Sequence, residues 1–181
     1  MTRSSTNTKS DILNAALEVV RARGAQGLTI DAVAEESGFS KGGVLYNFPT
    51  KDALITGMVE FLANQFEEEV AAARTRNLGC VSPTLSGMID VTEGWLHDRR
   101  DLAQAMLATK ADRPDLSEPF LGVKARLKAA IEAEMSDVGT ALAIWASLEG
   151  LHFSEAHCVA IFTKDERAAI FQDLRKRLKQ I

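Results

Sequence analysis

The residues best suited to chemistry lie between Thr29 and Lys51. Ser40, Lys41, Gly42, Gly43, Tyr46 and Asn47 fall on one short segment, flanked by the hydroxyls of Thr29 and Thr50 and by the ammonium of Lys51. This set has the donors and charges that hold a polyanion, not those that break bonds. Lys41 can clamp a phosphate or donate to a guanine edge. Tyr46 offers a ring for a thymine methyl and a hydroxyl for a phosphate. Asn47 can reach a phosphate or an adenine edge, or cap its own neighbours. Thr29 and Thr50 each open a helical pattern, where free backbone N–H groups attract phosphate. Gly42 and Gly43 each cost a helix about 1 kcal/mol relative to alanine. Close approach of the backbone to a sugar-phosphate chain explains a short helix that carries both; a loose helix start is the alternative.

Other chemistries find less support. There is no GxSxG, Walker A, GxGxxG or HExxH signature, so a catalytic site is not expected, although an all-helical enzyme need carry no short signature. His152, Glu155, His157 and Cys158 cluster in sequence, but their spacing straddles a helix end and no second cluster completes a metal site. No cofactor is expected. Trp95, Met106, Phe120, Trp145 and Phe153 are large enough to line an apolar cavity, although each alone is more often plain core. Glu149 interrupts an apolar run, with His152 three residues on. A half-buried carboxylate there selects a cationic or hydrogen-bonding ligand; otherwise it faces solvent or a dimer seam.

The elements that position these residues read as all-α, about nine helices in total. Nearly every segment has a period near 3.6, and none alternates like a strand. A first helix spans about Thr8–Arg23, with Thr8 and Asp11 as a capping box, and ends at Gly24. Thr29 caps the second, Asp31 complements its positive end, and Gly38 stops it in the left-handed conformation. Ser40 caps the third, which ends near Phe48 because Pro49 follows. Thr50 caps a long fourth helix, to about Arg74. Later helices cover about Pro83–His97, Arg99–Ala111, Pro114–Met135 with a break near Pro119, Ser136–Glu155 and Lys164–Lys179. The second and third, joined by a turn of about three residues, form a helix-turn-helix, whose second helix can enter a major groove by its N-terminal end.

Leu28–Leu54 resembles the DNA-binding segment of the TetR/AcrR family of repressors. The likeness lies in the Leu28-Thr29 opening, the Val33-Ala34 pair, Gly38 at the turn, Ser40-Lys41-Gly42, and Phe48-x-x-Lys51-x-x-Leu54 at the exit, and extends over about residues 8–65. Where many members have tyrosine this chain has Leu45, followed by Tyr46 and Asn47. The resemblance implies a three-helix DNA-binding domain over residues 1–50, followed by a helical ligand-binding and dimerisation domain over 51–181. It implies a homodimer through the last two helices, a palindromic double-stranded DNA operator, and a small-molecule effector that lowers operator affinity. Carried over by position, Thr29, Lys41, Gly42, Tyr46 and Lys51 contact DNA. Repression and activation are not separable at this level.

Bulk properties agree. The 181 residues are 46% apolar and 25% charged, with net charge −4, as in ordinary globular proteins. Residues 1–51 carry six Lys/Arg against five Asp/Glu, residues 52–163 carry nine against 17, and residues 164–181 carry six against three. The acidic excess therefore lies away from the DNA-reading segment. No apolar run is long enough to span a bilayer, and the polar stretch Met1–Lys9 reads as a flexible arm without the apolar core of a secretory signal. Cys80 and Cys158 form no CxxC pair and read as small core thiols in a reducing cytoplasm, with redox sensing as the alternative. Ala141, Ala143, Ala146, Ser147 and Gly150 suit close helix approach across a dimer seam.

Overall fold

The computed structural model describes residues 5–99, 114–157, 159 and 161–180. Among these there are eight α-helices and no strand: α1 Ser5–Arg23, α2 Ile30–Ser37, α3 Lys41–Asn47, α4 Lys51–Arg76, α5 Pro83–Asp98, α6 Glu118–Glu134, α7 Val138–Ala156 and α8 Lys164–Leu178. The helix expected at Arg99–Ala111 lies outside the described residues, save for Arg99, which ends α5. Met106 and Cys158 lie outside them too.

Two starts differ from expectation. The first helix begins at Ser5, a turn earlier, so Thr8 lies inside α1 rather than capping it. Residues 5–9, expected in a flexible arm, are therefore helical. The reciprocal capping box occurs instead at α8, where Thr163 Oγ1 accepts from the Glu166 N–H and the Glu166 carboxylate accepts from the Thr163 N–H. The segment over 114–135, expected to break near Pro119, has a 3-10 turn over Pro114–Ser117 before α6.

The chain forms two compact units. Of the described residues, one comprises 5–63 and 114–120, the other 64–99 and 121–180. The division falls within α4.

In the first unit the apolar stripes of four helices meet. Ile12, Ala16 and Val20 of α1, Val33 of α2, Val44 of α3 and Leu54, Met58 and Val59 of α4 are all at most 4% exposed. Burying a side chain of this size contributes roughly 1.5–3 kcal/mol, so the short helices α2 and α3, too short to persist alone, are held by this core. Phe48, just past α3, is buried with them, and its ring lies so close to Gly57 that a Cβ there would sit 2.7 Å from Phe48 Cε1.

In the second unit, Leu85 and Ile89 of α5, Val123 and Ile131 of α6, Ile144 and Leu148 of α7, and Phe171 and Leu174 of α8 form the core. The helices α4 and α5 cross at Gly87, where a Cβ would come within 3.0 Å of the Val70 carbonyl oxygen and the Arg74 nitrogen. Polar ties fix the helices' relative positions. Glu134, at the end of α6, accepts from Ser82 Oγ at 2.7 Å, from the Thr84 N–H at 3.0 Å and hydroxyl at 2.7 Å, and from Arg74 Nε at 3.0 Å. Burial pushes this carboxyl's pKa up, but the four donors outweigh it and hold the value below normal. Arg175 of α8 donates to Asp90 at 2.8 Å and Glu93 at 2.5 Å on α5. Buried Glu155 pairs with Arg167 at 2.9 Å across the α7–α8 connection.

Candidate nucleic-acid interface

The α2–α3 turn is built by local chemistry. Thr29 Oγ1 accepts from the Ala32 N–H at 3.1 Å, and Ser40 Oγ from the Gly43 N–H at 3.1 Å. Each cap satisfies a donor that its helix leaves open, at roughly 1 kcal/mol. Between them Gly38 adopts φ 70°, ψ 10°, where a side chain would clash with its own backbone. Thr50 Oγ1 caps α4 through the Ala53 N–H at 3.0 Å. All three caps fall where the sequence places them.

The third helix turns one side inward and the other to solvent. Val44 is fully buried and Leu45 half-buried. Lys41, Gly42 and Tyr46 are exposed, Tyr46 to 88%. So exposed an aromatic ring gains nothing from the protein's own core. Gly42 and Gly43 are equally unexplained from within. A Cβ on Gly42 would meet nothing closer than Ser40 Oγ at 3.9 Å, and one on Gly43 nothing closer than the same atom at 3.4 Å. The fold has room for alanine at both, so their helix cost is not repaid by internal packing.

Two polar side chains have partners that spacing alone does not reveal. Asn47 Nδ2 donates to the Gly43 carbonyl at 2.9 Å, turning back along its own helix. Lys41 Nζ lies 2.9 Å from Asp31 Oδ1 and 3.0 Å from Oδ2. Lys51, at the first position of α4, is exposed and makes no ion pair among the described residues.

The residues singled out for a ligand fall into separate groups. Trp145 and Glu149 meet on α7, the indole N–H donating to Oε1 at 3.0 Å, while Lys124 of α6 holds Oε2 at 2.6 Å. Burial pushes the Glu149 pKa up; the Lys124 and Trp145 hydrogen bonds, with the charges of Lys124 and His152, bring it below normal. His152 is exposed, and Phe153, 61% exposed, stacks on His157 at 3.8 Å between ring centres. Trp95 belongs to another cluster: its indole N–H donates to Glu69 at 2.7 Å, Arg99 lies 4.4 Å over its ring, and Phe66 meets it edge-on at 5.1 Å. Phe120 is half-buried near the start of α6. Among the described residues no three His, Cys, Asp or Glu side chains converge as metal ligands, and no helix is long and apolar enough to cross a membrane.

Two family models match. Residues 12–58 match the bacterial regulatory proteins of the tetR family, and residues 84–179 match the tetracyclin repressor-like C-terminal domain. The chain belongs to the TetR family. It is thus a transcription regulator with a helix-turn-helix DNA-binding segment, in a family of non-enzymatic transcription factors. Among solved structures, the TetR-family fold recurs in a TetR transcription regulator from Haloarcula marismortui, with TM-score 0.73, 20% identity and coverage of 97% of this chain and 98% of that one. A TetR-family member from Streptomyces coelicolor superimposes with TM-score 0.66 at 23% identity, over 94% and 98% of the two chains. The multidrug binding protein EbrR, complexed with imidazole, gives TM-score 0.67 at 24% identity over 94% of each chain. A search of curated proteins by sequence finds no match.

Proposed function

We propose that this TetR-family regulator is a homodimeric repressor, released from a palindromic operator by a small apolar or amphipathic ligand. The observation that carries the DNA-reading half is the outer face of α3. It combines an 88% exposed Tyr46, an exposed Lys41 and two glycines that the interior does not require. Residues 1–50 act as the DNA-reading domain and residues 51–181 as the ligand-binding and dimerisation domain. On DNA, Lys51, Thr50 and Thr29 hold phosphates through charge and free helix N–H groups. Lys41, Gly42, Gly43 and Tyr46 face the groove, with Ser40 and Asn47 shaping the helix that carries them.

One reading head has little net positive charge, so a single copy binds weakly. Two heads about one helical turn apart, roughly 34–36 Å, supply both affinity and selectivity. The support for a dimer through α7 and α8 is a stripe of apolar and small residues on α7 that the subunit leaves open: Leu142, Ala143, Ala146 and Gly150 are all exposed. Buried Ala141 faces the subunit's own core and is not part of that stripe. Of the residues singled out for a ligand, Trp95, Trp145, Glu149, His152 and Phe153 belong to the second unit and are the ones proposed to meet it. EbrR, of the same fold, has been solved with imidazole, proflavin and malachite green, which favours an aromatic effector. Fluorescence anisotropy against DNA fragments enriched by this protein from a random pool tests the reading. Salt-sensitive, sequence-selective binding by a dimer is expected; binding that never discriminates between sequences refutes it.

A further inference from the structure

We infer that Asp31 is a specificity-determining residue, which holds the Lys41 ammonium so that it serves a neutral base edge in preference to a phosphate. The inference rests on the DNA-reading role proposed above. Asp31 lies in the first turn of α2 and Lys41 at the first position of α3, ten residues apart, and the helix-turn-helix crossing brings them together. Both carboxylate oxygens lie within 3.0 Å of Nζ, while both side chains stay exposed, at 60% for Lys41 and 70% for Asp31. The positive end of α2 favours the carboxylate where it stands.

An ammonium has three N–H donors. With one donated to Asp31 Oδ2 and Oδ1 held beside the charge, the others stay available. A guanine O6 or N7 accepts one of these protons without bringing a second negative charge to the site, so Lys41 can bridge Asp31 and a base. A phosphate oxygen in the same place sets two anions on one cation, and Lys41 must leave Asp31 to clamp it. Asp31 thus opposes the sequence-independent component of binding and leaves the base-dependent one intact. Lys51 lacks such a carboxylate among the described residues and keeps the phosphate role. The two lysines divide the work, and Asp31 is the cause of the division.

The test compares the parent, Asp31→Asn, Lys41→Ala and the double variant. The probes are an operator duplex selected by the parent and a scrambled duplex of equal length, between 50 and 200 mM salt. Releasing Lys41 to phosphate is expected to steepen the salt slope on scrambled DNA by about 0.9 per reading head. Scrambled affinity should rise at least about threefold per head, while operator affinity changes less, so the selectivity ratio falls. Reselection with Asp31→Asn should relax the preference at a guanine in each half-site. In the Lys41→Ala background, read at 50 mM salt where weak binding is measurable, Asp31→Asn should change neither slope nor ratio. An unchanged ratio in the single variant, or an equal change without Lys41, overturns the inference. Thermal melting of each variant separates these effects from loss of fold. A selective parent with an indifferent Asp31→Asn variant defeats this inference alone, whereas a parent without selectivity defeats the proposed function.

Discussion

Replacing Glu134 with alanine tests how the second unit is held together. Its carboxylate receives four hydrogen bonds, and the acceptor is only 13% exposed. Ser82 and Thr84 are buried, at 0% and 1% exposure, so water cannot readily replace the lost acceptor. A hydrogen bond to a charged group contributes roughly 1.5–3 kcal/mol, and a buried hydroxyl left without a partner costs about 1–3. The four bonds share one carboxylate and Arg74 can turn to solvent, so the terms do not add fully. The expected loss is about 3–4 kcal/mol, which for a chain of this size lowers Tm by about 10 °C. Calorimetry at fixed protein concentration reads it, since the stability of the proposed dimer would depend on concentration. Glu134→Gln keeps one carbonyl acceptor and should lose about half as much. The folded carboxyl's pKa lies below its ordinary value of 4.5, so its contribution is complete above that pH and lost as pH falls toward the folded value. The glutamine variant should therefore lack this part of the acid destabilisation. A Glu134→Ala protein that melts within about 2 °C of the parent refutes the reasoning.

Other outcomes follow from the same geometry. Gly42→Ala should stabilise the fold by up to about 1 kcal/mol, because α3 has room for the methyl, and yet weaken operator binding; opposite signs in melting and anisotropy are the signature. Lys51→Ala should weaken binding to all sequences about equally and reduce the salt slope by about one per head, read from a salt titration. Gly57→Val should destabilise by about 1–3 kcal/mol in urea unfolding, since its Cβ meets the buried Phe48 ring. Ala146→Glu, on the exposed stripe of α7, should convert dimer to monomer by sedimentation with the far-ultraviolet helix signal retained.

What the sequence made legible was local. Thr29, Ser40 and Thr50 cap helices because a hydroxyl reaches donors three residues on, and Gly38 takes a conformation few other residues tolerate; both causes act within one turn. Thr8 and Asp11 carry the same signature, but α1 starts earlier, and a capping pair inside a longer helix has nothing left to cap. Lys41 was readable as an exposed cation at the start of α3, but its carboxylate partner was not, because the two meet only through the angle between α2 and α3. The same limit hid the Glu134 network, whose members lie 50 to 60 residues apart in sequence. Asn47 had three possible partners in sequence, and the structure gives its amide to the Gly43 carbonyl. Trp145 and Glu149, four residues apart, were on one helix face from the outset, but Lys124 on the neighbouring helix was not foreseeable.

The chain's two tryptophans have a further use. Each indole N–H is bound by a glutamate, Trp95 by Glu69 and Trp145 by Glu149. The first partner sits across the α4–α5 packing, and the second is shared with Lys124 of α6. Indole emission responds to the charge and hydration around the ring, so the protein carries two native optical reporters on different helix pairs. A Trp95→Phe and a Trp145→Phe variant would each leave a single emitter. An effector titration followed in both would assign a spectral change to one helix pair or the other, without an attached dye.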